Sequence, residues 1–277
     1  MESVLIDNNG IVEELTNTIE AKLLNDSPLP ASCCIFRVPN KIRRKKVQAY
    51  EPDIVSIGPF HSGRRGNQFQ LMENVKRWYL QCLLSHANIT LASLIKGVVD
   101  FDKCPRNCYA EPFDHLNEKD FVEMMVLDGC FLIELFRKRF SVDQRDENDP
   151  VFNVSCMLEY LYHDVLLLEN QLPWFVLERL YNLTAVKNTT CEGDAPSLTD
   201  LVLTFCRQSV TDDRIFNSSM NLPSKILNIL DLIRSVIVAP FEDLGSQKKE
   251  EDEQRVPNVT SPKPALNFEK VPKPRFA

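Results

Sequence analysis

The chain has 277 residues, of which 44% are hydrophobic and 26% are charged, and its formal net charge at pH 7 is −7. The first two values are ordinary for globular proteins and exclude a disordered or fibrous chain, while the negative charge argues against nucleic acid as a partner. Only eight residues are glycine, which leaves little material for chains of tight β-hairpin turns, so we expect a mainly α fold.

The first predicted elements are a helix and an extended segment. Four apolar residues recur at four-residue steps and predict an amphipathic helix over 11–24: Ile11, Leu15, Ile19 and Leu23. This helix and the linker that follows it make up residues 1–30. Between residues 33 and 60, Pro39, Pro52, Gly58 and Pro59 interrupt short apolar pieces, a pattern typical of an extended segment with turns.

A strong helical pattern then runs from Gln68 to Ser85. Its apolar stripe consists of Leu71, Val75, Trp78, Tyr79, Cys82 and Leu83. The charged residues Glu73, Lys76 and Arg77 fall outside this stripe. A second helical pattern covers residues 90–100.

The third helix places an acidic residue among apolar ones. Asn117 and Asp120 supply an N-cap and an acidic first turn. At about 100° per residue, Asp128 falls in the middle of the apolar face formed by Phe121, Met124, Met125, Phe131, Leu132 and Leu135. An unpaired buried carboxylate costs several kcal/mol, so we expect Asp128 to accept hydrogen bonds from backbone or an arginine, or to be protonated. Gly129 beside it indicates a closely approaching neighbour.

A dense apolar segment over 154–175 contains the next polar group. Pro173 should end one helix and begin the next, because proline suits a first helical turn and disrupts an interior. Glu169, Asn170 and Gln171 therefore lie at a helix junction between apolar walls, where we expect them to cap exposed backbone groups.

Two further helices are predicted over 198–208, with Ser197 as N-cap, and over 224–238. The core should close near Phe241, which gives a helical domain at 31–241. Beyond it, the charged run 248–253 and five prolines predict a disordered tail over 242–277. The expected architecture is an irregular multi-helix globular domain with an extended, Pro- and Gly-containing N-terminal segment.

The sequence contains no recognisable catalytic or ligand-binding motif. Phosphate-binding, dinucleotide-binding, G-x-S-x-G and H-E-x-x-H patterns do not occur, which weakens an enzyme interpretation. His163 beside Asp164 is expected to be structural. Cys104, Cys108 and His115 could supply three zinc ligands, but structural zinc needs four, so free thiols are favoured and we predict no metal or cofactor.

One basic run interrupts the acidic chain, and it contains Lys41, Arg43, Arg44, Lys45 and Lys46. It could be a nuclear import signal, a contact with an anionic membrane or a phosphate contact. A solvated loop face is the favoured interpretation.

Several segments resemble the plant family called domain of unknown function 247. They are Phe36–Pro39, Ala49–Pro52, Val55–His61, Met72–Lys76, Phe121–Phe131 and Asp164–Pro173. The resemblance implies a largely helical domain without an assigned enzymatic activity. It also implies membrane attachment, at the plasma membrane, through a C-terminal helix. This chain has no apolar run of the roughly 18 residues that such a helix needs and no secretory signal, so a truncated or divergent member, soluble and intracellular, is expected from the chain alone.

The family's recurring residues coincide with the buried acid, the helix corner and the turn: Asp128, Gly129, Glu169, Asn170, Gln171, Pro173, Gly58, Pro59 and His61. We expect them to be architectural. Since some relatives are associated with pollen self-recognition in grasses, the hypothesis is a non-enzymatic recognition or signalling protein with an unknown protein partner. The alternative is a hydrolase-like enzyme with a pocket lined by Asp128, Glu169 and Asn170.

Overall fold

This computed structural model describes residues 8–64, 69–101, 104–185, 195–207 and 224–239, and most of these residues are helical. Tertiary contacts divide the chain into Met1–Ile237 and Val238–Ala277. The helices are α1 (Asn8–Glu20), α2 (Asn40–Arg43), α3 (Gln70–Ala87), α4 (Leu91–Val99), α5 (Glu118–Phe140), α6 (Pro150–Asn153), α7 (Met157–Val165), α8 (Trp174–Thr184), α9 (Leu198–Cys206) and α10 (229–239). The predicted mainly α fold is confirmed.

The centre of the first unit is α5, which packs against α3, α4, α8 and α9. It begins as predicted, because the Asn117 side chain accepts a hydrogen bond from the Asp120 amide. All six residues of the predicted apolar face are buried, and Asp128 among them is fully buried. The third predicted helix is therefore confirmed, together with its internal acid.

Helix α3 forms close to its predicted bounds, and Val75, Tyr79 and Leu83 of the predicted stripe are buried, but the buried face also includes charged residues. Leu71 is 63% exposed, whereas Glu73 and Lys76 are buried. The face turned toward α5 is the one that lets Lys76 reach Asp128, with the Lys76 Nζ 2.8 Å from Asp128 Oδ1. The periodicity of apolar residues did not predict this contact, because Asp128 lies on another helix.

The N-terminal elements match their predicted conformations. The predicted opening helix is α1, and its apolar residues Ile11, Leu15 and Ile19 lie at the surface. Residues 33–60 contain α2, a short 3-10 helix at Val47–Ala49 and several turns, separated by irregular stretches. In the described chain the segment pairs with another backbone at one isolated bridge, between Ile35 and Tyr109.

Toward the C-terminus the boundaries differ from the predicted ones. Helix α8 starts directly after Pro173, as predicted, but α7 already ends at Val165, so residues 166–173 form a non-helical corner. Helix α9 begins with a capping box between Ser197 and Asp200. The last helix starts at residue 229, five residues later than predicted. The tail predicted over 242–277 lies outside the described residues.

Within the described ranges, no single helix has both the length and the apolar content to span a membrane. Helices α3 and α4 pass that test when they are joined, but they are bent by 104° at the break between them.

Three described glycines, Gly58, Gly97 and Gly129, occupy positions where a Cβ atom would lie closer than 3.0 Å to another atom. A Cβ at Gly129 would lie 2.4 Å from Leu180 Cδ1, which confirms the close neighbour predicted there. Gly58 has a φ of +72°, and its Cβ would lie 2.7 Å from the backbone oxygen of Gln171. The turn at Gly58 therefore brings the extended segment against the corner before α8.

We predict that Gly58→Ala lowers the free energy of unfolding by about 2 kcal/mol or more, because alanine disfavours the left-handed conformation and the backbone oxygen has little freedom to move. Urea denaturation measures the change. Gly63→Ala is the control, since nothing lies within 4 Å of its Cβ position, and it should change stability by no more than about 0.5 kcal/mol. Equal effects of the two substitutions would contradict this account of Gly58.

Candidate functional site

The candidate site is a buried polar cluster of five residues: Asp128, Asp164, Glu169, Asn170 and Gln171. All five are at most 1% exposed. Three of them, Asp128, Asp164 and Asn170, bind the segment 53–58, whose backbone has no neighbouring strand in the described chain. Buried amide groups need hydrogen-bond partners, and the cluster supplies them.

Asp164, near the end of α7, binds three successive amides of this segment. Its Oδ1 accepts from the Asp53 amide at 2.8 Å, and its Oδ2 accepts from the Ile54 and Val55 amides, each at 2.9 Å. Burial raises the pKa of Asp164 above its ordinary value, although these three hydrogen bonds favour the charged form. One carboxyl group thus supplies the hydrogen-bond acceptors for three backbone amides, which would otherwise need a neighbouring strand.

Asn170 and Gln171 complete the corner between α7 and α8. Asn170 accepts from the Ile57 amide at 2.6 Å and donates to the Val55 carbonyl at 3.0 Å. It also donates to the Asp164 carbonyl at 2.9 Å, and Gln171 donates to the carbonyls of Val165 and Leu167 at 2.7 and 2.9 Å. The predicted capping of exposed backbone at this corner is confirmed for both amide side chains.

Asp128 joins the extended segment to α3 and α5. Its Oδ2 accepts from the Gly58 amide at 2.8 Å, and its Oδ1 accepts from Lys76 Nζ at 2.8 Å. Lys76, itself fully buried, also donates to Glu73 Oε1 and to the Ser56 carbonyl, both at 2.6 Å. Asp128 therefore has the predicted backbone partner, and Lys76 is a basic partner that was not predicted.

Glu169 interacts with basic side chains and one backbone amide. Its Oε1 accepts from the Val38 amide at 2.6 Å and from Arg43, and its Oε2 lies 3.2 Å from His61 Nε2. Burial alone would raise the pKa of Glu169, but the nearby His61 and the hydrogen bonds from Arg43 and the Val38 amide outweigh it and lower the pKa to about 2. Glu169 is therefore ionised at neutral pH.

Arg43 differs from the other residues of the basic run because its side chain is mostly buried and paired with acids. The Arg43 side chain is 14% exposed and pairs with Glu169 and Glu51. The other members of the run are exposed on the surface: Lys41, Arg44, Lys45 and Lys46. Arg43 thus belongs to the architecture around Glu169.

A second set of buried charged residues lies along α5 and was not predicted from the sequence. Lys138 Nζ donates to Asp149 at 3.0 Å, and the Tyr79 hydroxyl donates to the same carboxylate at 2.9 Å. One turn earlier on α5, Glu134 is 1% exposed, and burial raises its pKa. The spacing of Glu134 and Lys138 on one helix face is a signal in the sequence, but burial of either depends on tertiary partners.

His163 lies at the edge of the cluster. Its Nδ1 is 3.1 Å from Asp53 Oδ2 and 3.2 Å from Asp164 Oδ1. Among the described residues, these three side chains are the one group whose ligand atoms converge closely enough to hold a metal ion. The oxygens of Asp164 already accept three backbone amides, and acidic groups at a surface often converge without a metal.

Among the described residues, Cys104, Cys108 and His115 do not form a group of converging metal-ligand atoms. Cys108 is buried, whereas Cys104 is exposed. The neighbouring His115 lies near Ser62, with its Nε2 3.5 Å from the Ser62 hydroxyl.

Four cavities of the described part of the chain lie outside the cluster. An apolar groove of about 590 Å³ lies between α3, α4 and α5, and its lining includes Leu91, Ile95, Val99, Val122 and Val126. A more open cavity of about 840 Å³ is lined by residues that include Lys46, Asp53 and His163. Asp128, Glu169 and Asn170 line neither of these cavities, nor two smaller ones of about 400 and 280 Å³.

Comparison with known proteins gives a family and two plant relatives. The model of the family called domain of unknown function 247, described as a plant protein of unknown function, matches residues 35–265. UPF0481 protein At3g47200 of Arabidopsis thaliana is 39% identical over 58% of this chain and 34% of its own length. A second UPF0481 protein of Arabidopsis thaliana, At3g02645, is 23% identical over 86% of this chain and 44% of its own length. The chain thus spans less than half of either relative, and no solved structure matches it.

We predict that Asp128→Asn lowers the free energy of unfolding by about 2 kcal/mol, because it removes one of the two carboxylates that pair with the buried Lys76 and leaves only Glu73. Urea denaturation at pH 7 measures the loss. Glu123→Gln, an exposed acid on the same helix, is the control and should stay within about 0.5 kcal/mol of the wild type. A loss below about 1 kcal/mol for Asp128→Asn would mean that the Lys76 pair is not needed for stability.

Glu169 should make stability depend on acidic pH. Its pKa falls from 4.5 to about 2 on folding. A lowered pKa stabilises the folded state above the unfolded-state pKa, and this stabilisation is lost as the pH falls through the folded-state value. Between pH 4.5 and 2 the wild type should therefore lose on the order of 3 kcal/mol that Glu169→Gln does not lose.

The measurement is urea denaturation at several pH values, with Glu159→Gln, an exposed acid of α7, as the control. The control should retain the pH dependence of the wild type. If Glu169→Gln retained it as well, Glu169 would not be the source.

Proposed function

We propose that this chain, which belongs to the plant family called domain of unknown function 247, is a non-enzymatic recognition or signalling protein that acts through contacts with a protein partner. The longer members of the family are proposed to be membrane-anchored, as the resemblance implies. The observation that carries the proposal is that the buried acids of the cluster are engaged in holding backbone and basic groups.

A catalytic acid or base must come within hydrogen-bond distance of its substrate. Asp128 is fully buried and binds Gly58 and Lys76, while Glu169 is fully buried and binds Val38 and Arg43. Neither residue lines any of the four cavities. These contacts favour an architectural role over the alternative of a hydrolase-like enzyme that uses Asp128 and Glu169.

The apolar groove between α3, α4 and α5 supports a function in protein contacts. On α4, Leu91, Ile95 and Val99 recur at four-residue steps and are 43%, 40% and 56% exposed. Contiguous exposed apolar surface is typical of interaction sites. A groove lined at helical spacing suits the apolar face of a helix, so we propose a helical segment of the partner protein as its occupant.

Proximity labelling in plant cells tests the partner contact. The double variant Ile95→Asp and Val99→Asp places two charges in the groove and should remove specific proteins from the labelled set, because a charge in an apolar contact is costly. The matched control is Val142→Asp with Val154→Asp, two exposed valines outside the groove, and it should leave the labelled set unchanged.

An identical labelled set for all three proteins would contradict the groove as the contact surface.

A panel of hydrolase and transferase substrates tests the non-enzymatic part on the purified wild type. Saturable turnover that co-purifies with the folded chain would overturn that part of the proposal.

A further inference from the structure

The surface loop 36–48 concentrates positive charge on an otherwise acidic chain. It contains six basic residues and no acidic one. Arg37 pairs with Glu111 at 2.7 Å, and Arg43 pairs with Glu51 and the buried Glu169. The other four basic residues are exposed and form no salt bridge within the described part of the chain: Lys41, Arg44, Lys45 and Lys46.

Apolar side chains are exposed in the same loop. Phe36, Ile42 and Val47 are 50%, 47% and 46% exposed. Along the chain they alternate with the exposed basic residues, so that Ile42 follows Lys41 and Val47 follows Lys46. Mixed basic and large apolar side chains are typical of surfaces that bind at the interface of a lipid bilayer, where the charges meet headgroups and the apolar groups enter the acyl boundary.

The loop is held in place from inside the protein. Glu169 accepts hydrogen bonds from the Val38 amide and from Arg43, which lie near its start and in its middle. Since Glu169 is fully buried, these contacts fix the loop to the core. Binding therefore costs little additional ordering of the backbone.

We propose that the loop 36–48 binds the surface of a membrane that contains anionic lipids, with Lys41, Arg44, Lys45 and Lys46 at the headgroups and Ile42 and Phe36 inserted below them. The net charge of −7 does not prevent this, because charges farther than about 8 Å are largely screened at physiological salt. A phosphate backbone of nucleic acid would attract the same charges but would leave these two apolar side chains in water. The proposal is independent of the protein-contact function and uses a different surface.

Vesicle sedimentation of the full chain tests the proposal, with phosphatidylcholine vesicles that contain 0 or about 30% phosphatidylserine, chosen to give an anionic surface. The wild type should bind only the anionic vesicles, and binding should weaken as salt is raised. A variant with Lys41, Arg44, Lys45 and Lys46 all changed to Gln should lose partitioning by a factor on the order of 10²–10³, because each basic residue near such a surface contributes about fivefold.

The matched control removes four positive charges elsewhere on the surface, by changing Lys22, Lys96, Lys119 and Lys225 to Gln, all of which are exposed. Its binding should stay within about threefold of the wild type, because distant charges are screened. Circular dichroism should show that both variants are folded. Equal losses in the two variants would overturn the proposal, since overall charge would then explain binding.

A second variant, Phe36→Ser with Ile42→Ser, retains every charge of the loop. It should partition about tenfold less than the wild type at every salt concentration, because two half-exposed apolar side chains no longer leave water on binding. Unchanged partitioning would overturn the insertion of these side chains. Absence of wild-type binding to anionic vesicles, or binding to duplex DNA in its place, would overturn the membrane proposal as a whole.

Discussion

Backbone amides of a buried extended segment must find partners, and here side chains from two helices and a helix corner supply them. Asp164 binds the amides of residues 53–55, Asn170 binds that of Ile57, and Asp128 binds that of Gly58. In most folds a neighbouring strand makes such hydrogen bonds. Because the side chains are fixed in α5 and in the corner between α7 and α8, the path of the segment across the helices is fixed as well.

Burying acidic groups is costly, so their presence calls for a physical reason. Replacing a buried ion pair by apolar residues often preserves stability, whereas removing one partner does not. Here the acids determine position: Asp128 aligns α3 with α5 through Lys76, and Glu169 ties the loop 36–48 to the core through Arg43. The two surfaces proposed for binding, the groove beside α5 and the basic loop, are thus both built on residues that the buried polar cluster holds in place.

The sequence predicted these features unevenly. Helical periodicity located Asp128 on a buried face because six apolar neighbours surround it in the same helix, and the short spacing of Asn170 and Gln171 indicated their capping. Lys76 was placed outside the buried stripe, since periodicity counts apolar residues and cannot detect a carboxylate on another helix. Asp164, Glu134 and Lys138 were missed for the same reason, as their burial depends on partners distant in the chain. The apolar side chains of α1 are exposed. An amphipathic pattern alone therefore does not show whether the apolar face of a helix is buried.

Hydrogen exchange, followed amide by amide in the native protein, tests the central claim most directly. If buried side chains bind the segment, the amides of Asp53, Ile54, Val55, Ile57 and Gly58 should exchange slowly, and Asn170→Ala should accelerate exchange at Ile57 while α5 keeps its protection. If these amides exchanged as fast as those of the exposed residues 146–148 in the wild type, the cluster would not hold the segment and the account would be contradicted.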